Sequence, residues 1–110
     1  MATTTFSGPV VSQNGFIVGS GATIAKVLSA SASLNFASIL AAAQADLTIT
    51  VTGAAVGDEV IMALPAAPAA GIVFNAFVSA ANTVTIRASN ISAAPVNPAS
   101  ATYGVIVLSA

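Results

Sequence analysis

Five side chains carry a formal charge in this 110-residue chain: Lys26, Asp46, Asp58, Glu59 and Arg87. With no His and no Cys, the commonest general base is missing, Ser–His and Cys–His nucleophile pairs cannot form, and imidazole or thiolate zinc sites are excluded. The acid–base device left is a carboxylate pair, as in glycoside hydrolysis, where two carboxyl groups face each other across the scissile bond. Asp58 and Glu59 are adjacent, however, and neighbours in an extended strand point to opposite faces, so they read as a Gly-Asp turn followed by a solvated strand start. No D-x-D-x-D-G loop or dense acidic cluster offers a calcium site. Gly15, Gly19 and Gly21 lack the preceding strand and following helix of a phosphate-binding loop. The expectation is a chain with no catalytic residues, no cofactor and no metal.

Arg87 falls on the polar side of an alternating segment, where a pair with Asp58, across the sheet or at a subunit contact, is the structural use expected of it and projection into solvent the alternative. Lys26 reads as edge-strand charge. Tyr103 and the five Phe are too scattered for a ligand-stacking platform, and Phe74 and Phe77 fall on opposite faces of one strand.

These residues must be positioned by strands. Val and Ile outnumber Leu, 22 against 6, which favours β structure because branched side chains pack well on a pleated surface. Leu47 to Thr52 alternates apolar residues with threonines, and Thr83 to Ala88 places Val84, Ile86 and Ala88 on one face with Thr83, Thr85 and Arg87 on the other. Ser31 to Phe36 alternates likewise. Val60 to Leu64, Ile72 to Val78 and Tyr103 to Leu108 are more continuously apolar, the pattern of strands covered on both faces. Thr23 to Leu28 completes about seven. Turn residues separate the runs at Gly53 to Asp58, at Ala80 to Asn82 and in the loops PAAPAAG and SAAPVNPAS. Ala37 to Asp46 is Ala-rich but too short, and without a clear apolar stripe, to make more than a loop or one turn.

The fold class expected is all-β, an antiparallel β-sandwich or jelly-roll-like barrel of about seven to eight short strands. Residues 1–22, rich in Thr, Ser and Gly, read as an extended N-terminal arm, and 23–110 as the β-sandwich domain. The arm's candidate interaction residues are Phe6, Pro9, Val10, Val11, Asn14, Phe16 and Ile17.

Composition narrows the partners. The chain is 56% hydrophobic and 5% charged, against about 25% charged in an average soluble domain, so uncharged polar groups must carry its solvation. Two basic side chains and a net charge of −1 leave almost nothing to neutralise nucleic-acid phosphates, so no nucleic-acid partner is expected. Residues 59–81 are apolar enough to suggest a membrane span, but Pro65, Pro68 and Gly71 interrupt them, Glu59 and Asn75 lie within them and no basic cluster flanks them, so two strands and a loop are expected and no membrane partner. No secretory signal is visible before Lys26, and the mature protein is expected to start near Met1. Without Cys, stability must come from packing.

One resemblance is specific. The segments SLNFASILAAAQADLTITVTGAAVGDEV and AGIVFNAFVSAANTVTIRASNISAAPVNPASATYGVIV, within roughly residues 31 to 108, resemble small structural proteins of tailed bacteriophages. Those chains typically show an N-F strand (Asn35-Phe36), an alternating Thr strand ending in T-G (Thr52-Gly53), a V-G-D turn (Val56 to Asp58), a V-S-A-x-[DN]-T-V-T-[IV]-R strand (Val78 to Arg87) and P-A-S-x-T-[YF] (Pro98 to Tyr103). The resemblance implies a capsid decoration (cement) or head-fibre type protein, a β-sandwich on the outer surface of the virion head. Its partners would be the major capsid protein and itself, as a homotrimer. Asn82 stands where such chains often carry Asp, and Gly104 where they often carry a basic residue, so a charged contact at either place would be missing here. A fibre or receptor-binding module for host glycans is the alternative, weakened by the absence of Trp and the single Tyr. A bacterial surface adhesion domain is a third reading.

Overall fold

The computed structural model describes residues 2–110, so Met1, the expected start of the chain and of its arm, lies outside the described residues. The protein is an all-β sandwich; the described residues hold eight strands and no helix. The strands are β1 (Phe16–Ile17), β2 (Thr23–Ile24), β3 (Lys26–Leu34), β4 (Gln44–Thr50), β5 (Glu59–Ala63), β6 (Ile72–Ala80), β7 (Thr83–Asn90) and β8 (Ala101–Ser109). One antiparallel sheet has the order β3-β8-β5, the other β4-β7-β6, and β1 and β2 form a separate ribbon.

The alternation read from sequence is what lets two such sheets face each other. Successive side chains in a strand point to opposite faces, so each sheet contributes every second residue to a shared core. Val84, Ile86 and Ala88 from central β7 meet Tyr103, Val105 and Val107 from central β8, all six buried. Leu34, Ile49 and Val78 fill in from β3, β4 and β6. Phe36, from the loop after β3, packs edge-on against Phe74 and Tyr103, with ring centroids 6.1 and 5.9 Å away. The loop over 35–43 is tied down by an isolated bridge between Ile39 and Val96.

Several expectations change in detail. Thr23 to Leu28 and Ser31 to Phe36 are not two strands: β2 and β3 run on through Ala25, whose N–H donates to the Ser109 carbonyl at 2.6 Å. Small alternating Ser and Ala leave that stretch without a turn former. β4 begins at Gln44, inside the Ala-rich stretch expected to be a loop, because Gln44 to Asp46 pair in register with Arg87 to Ser89. The apolar segment at 59–81 forms β5 and β6 with a loop between them, as its Pro and Gly residues imply. Thr85, on the outer face of β7, is buried, its hydroxyl 2.6 Å from Ser79 Oγ, because β7 is flanked on both sides.

The continuously apolar strands are not covered on both faces. A two-layer sandwich shields each sheet on one side only, and the outward Ile61 of β5, Val73 of β6 and Ile106 of β8 remain 57%, 50% and 41% exposed.

Candidate functional site

The fold spreads the charged residues over both sheets and brings Asp46 and Arg87 together. Asp58 closes the turn before β5: its Oδ2 accepts from the Ala55 N–H at 3.0 Å, and Glu59 follows on the exposed strand start. Lys26, at the start of edge strand β3, donates from Nζ to the Gly53 carbonyl at 2.6 Å. Asn82, at φ 62° in the β6–β7 turn, accepts the Gly53 N–H on its Oδ1 at 2.8 Å. A short amide side chain tolerates that left-handed backbone. Among the described residues no group of three metal-ligating side chains converges.

Arg87 pairs with Asp46 rather than with Asp58. Its Nε and Nη2 each lie 2.9 Å from a carboxylate oxygen of Asp46, a bidentate pair. The reason is register: Asp46 of β4 stands directly opposite Arg87 of β7, whereas Asp58 precedes β5 in the other sheet. Phe77, one step along on β6, lies under the guanidinium at 5.0 Å. The missed signal was alignment of the two alternating strands, which sets Asp46 across from Arg87 once Thr48 is paired with Thr85.

The hydrogen bond from Arg87 holds the Asp46 carboxyl below its ordinary value of 3.8. A lowered folded-state pKa means the pair's stabilisation is complete above about pH 4 and fades as pH falls through the lowered value. Both side chains are about two-fifths exposed, so the contribution is small and screened. Arg87→Ala is expected to lower the melting temperature slightly at low ionic strength and neutral pH, with the difference from the parent chain vanishing at 1 M salt. A large, salt-independent loss in thermal melts would contradict a solvent-exposed pair.

The two outer faces differ in character. On β4-β7-β6 the row Asp46, Arg87, Asn75 crosses the sheet among Thr48, Thr50 and Ser89, a polar and internally hydrogen-bonded surface. On β3-β8-β5 the outward residues include Val27, Ser29 and Ser31, then Ile106 and Gly104, then Ile61 and Ala63, with Glu59 as the charge at one end. Gly104 has no side chain between Ser31 and Ala63, which leaves a trough of about 380 Å³ over the centre of the sheet.

The arm is the other open surface. From residue 2 to Thr23 every position is exposed except Gly15, which is half-buried, and no charge occurs before Lys26. Phe6, Val10, Val11, Phe16 and Ile17, five of the seven candidate interaction residues, are more than half exposed, as is Val18. Pro9 and Asn14 are exposed too. Phe16 and Ile17 are held by antiparallel pairing with Ile24 and Thr23. The Ser12 hydroxyl donates to the Gly15 carbonyl and fixes the turn that brings Val10 beside Ile24 and Val27. The chain's radius of gyration is 17.4 Å with a long axis of 57 Å, where a compact chain of this length would have a radius of about 13 Å.

The described residues therefore offer two surfaces, a projecting uncharged arm and an apolar, serine-lined sheet face. No family model, curated protein or solved structure matches this chain.

Proposed function

We propose that the protein is a structural virion protein that decorates and stabilises a bacteriophage capsid, binding the outer surface of the major capsid protein shell as a homo-oligomer, a trimer by the sequence resemblance. The observation that carries this reading is an uncharged arm, rich in exposed Phe, Val and Ile, projecting from a closed β-sandwich core. A segment of this kind, with free backbone donors and acceptors, is suited to binding by strand addition or apolar docking on a neighbouring subunit. The five motifs between Asn35 and Tyr103 supply the phage context.

The reading as a glycan-binding fibre module has less behind it. Tyr103 is 1% exposed, Phe36 and Phe74 pack with it inside the sandwich, and the Phe77 ring is covered by Arg87, which leaves Phe6 and Phe16 of the arm as the open aromatic side chains.

The test is binding to empty heads of the parent particle stripped of this protein. Deleting Met1 to Ser20 is expected to abolish binding while the body keeps its β-sheet circular dichroism. Binding at parental occupancy by the truncated chain would rule the arm out. Copy number in the intact particle separates the two readings, since decoration requires hundreds of copies and a fibre tip few.

A further inference from the structure

The outer face of β3-β8-β5 has the marks of a surface that is covered in the working protein. Its centre is uncharged, Val27, Ile61 and Ile106 stand 61%, 57% and 41% exposed, and the Gly104 trough runs between Ser29 and Ser31 on one side and Ile61 and Ala63 on the other. The opposite sheet has its own ion pair and threonines to face water, with Val73 its one large aliphatic side chain at least half exposed.

The area of the molecule says how much surface is to be covered. The chain exposes 7027 Å², whereas a compact monomer of its 10.6 kDa mass would expose about 5,500 Å². The excess of about 1,500 Å² on one chain is nearly twice the roughly 800 Å² that each partner gives to a standard stable protein–protein interface. The arm, exposed along nearly its whole length, carries six exposed large apolar side chains.

Arm and face suit each other in charge and in length. Neither residues 2–22 nor the centre of the face holds a charged side chain, so docking strands no unpaired ion. Residues 2–14 in extended form span about 40 Å, and the nine residues of β8 about 30 Å, at roughly 3.3 Å per residue.

We propose that the arm of one copy of this chain docks along the outer face of β3-β8-β5 of a second copy, seating apolar arm residues in the Gly104 trough. The contact is heterologous, arm to face, so it closes by reciprocal exchange between two copies or by a ring of more. The inference rests on the coat-protein reading only for self-association, not for the shell that is coated.

Gly104 permits a clean test. Its backbone is not in the left-handed region, and a Cβ there would meet only Ala63 Cβ at 3.7 Å and the Ala30 carbonyl at 3.9 Å, ordinary van der Waals contact. Gly104→Arg therefore fills the trough with charge while leaving the fold intact; Ile61→Lys, on the opposite wall, is the second variant should the first fail to fold. Analytical ultracentrifugation is expected to find the parent chain oligomeric and both Gly104→Arg and a chain lacking residues 2–14 dissociated, with the midpoint of association weakened about 100-fold or more, as for loss of a central anchor pocket. Mixing these two dissociated variants is expected to restore a 1:1 pair, since one supplies an intact arm and the other an intact face. A monomeric parent chain, an oligomer that survives either change, or a mixture that fails to pair would each overturn the proposal. Binding to empty heads is scored separately: an arm-linked oligomer that ignores heads defeats the coat reading and leaves this contact standing, and a monomer that binds heads does the reverse.

Discussion

Replacing Phe36 by alanine is expected to cost about 3–5 kcal/mol of unfolding free energy, the range for removing a buried aromatic ring when its surroundings cannot collapse. Phe36 is 1% exposed and sits where a loop residue closes one end of the sandwich. Its ring meets Phe74 of β6 and Tyr103 of β8 edge-on, and those two rings are 5.6 Å apart, so the three link the two sheets through one cluster. Rings at these separations and angles add attraction beyond area burial, and the cavity left by alanine would lie between two hydrogen-bonded sheets that resist moving together. For a domain whose whole stability is about 5–15 kcal/mol, the loss is a large fraction. The melting temperature should fall by at least about 12 °C, at some 4–8 °C per kcal/mol for a domain near this size. Phe36→Leu should recover part of the loss. A change below about 1.5 kcal/mol in urea titrations with an unchanged m-value would show that the cluster is not the tie between the sheets.

Asn90 is expected to be the most sensitive polar position. It is 2% exposed at the end of β7, and its amide uses all of its capacity locally. Nδ2 donates to the Ile39 carbonyl at 2.9 Å and the Ala94 carbonyl at 2.8 Å, while Oδ1 accepts from the Ser92 N–H at 2.9 Å and the Ser92 hydroxyl at 2.6 Å. Its backbone bonds to Ala42 and Ala43 as well, so one residue joins the 35–43 loop, β7 and the 91–96 loop. Asn90→Ala strands the Ser92 N–H and leaves the Ile39 carbonyl with only the Val96 N–H and the Ala94 carbonyl with only the Ser92 hydroxyl, at an expected cost of about 1–3 kcal/mol. Hydrogen exchange should show Ile39 and Val96, the two bridged residues, losing protection first.

Asn90→Asp adds a pH signature to the same site. A carboxylate there would face two carbonyl oxygens and could donate to them only when protonated, so its folded-state pKa would rise above the unfolded value near 4. The variant's deficit should thus be smallest below about pH 4 and grow as pH rises through the raised value. A pH-independent deficit would mean that water, not the carbonyls, meets the new oxygen.

Neither Phe36 nor Asn90 announced its importance as a lone residue. Phe36 was legible as the end of an alternating run and as part of the N-F motif, but its partners lie 38 and 67 positions later in sequence, and only the strand order β3-β8-β5 facing β4-β7-β6 brings them together. Asn90 sits in the segment SNISAAPVNPAS, where Asn and Pro signal a loop whether or not an amide is buried in it. Thr85 likewise reads as an outward residue, and its burial follows from β7 having a neighbour on each side.

The class of structure was legible in the residue pattern alone. Period-2 alternation and β-branched composition depend on nearest neighbours along one strand, so Leu47 to Thr52 and Thr83 to Ala88 identify themselves locally. The lack of His and Cys likewise needs no coordinates. Pairing across distance came from the folded chain: Arg87 meets Asp46 instead of Asp58, Gly104 opens a trough between β3 and β5, and the outward Ile61 and Ile106 stay exposed on the single chain. Register between strands is set by which faces can share a core, a property of the whole sandwich. Lys26, Asp58, Asp46 and Arg87 hold turns and a strand pair in place, and the open surfaces are the uncharged ones.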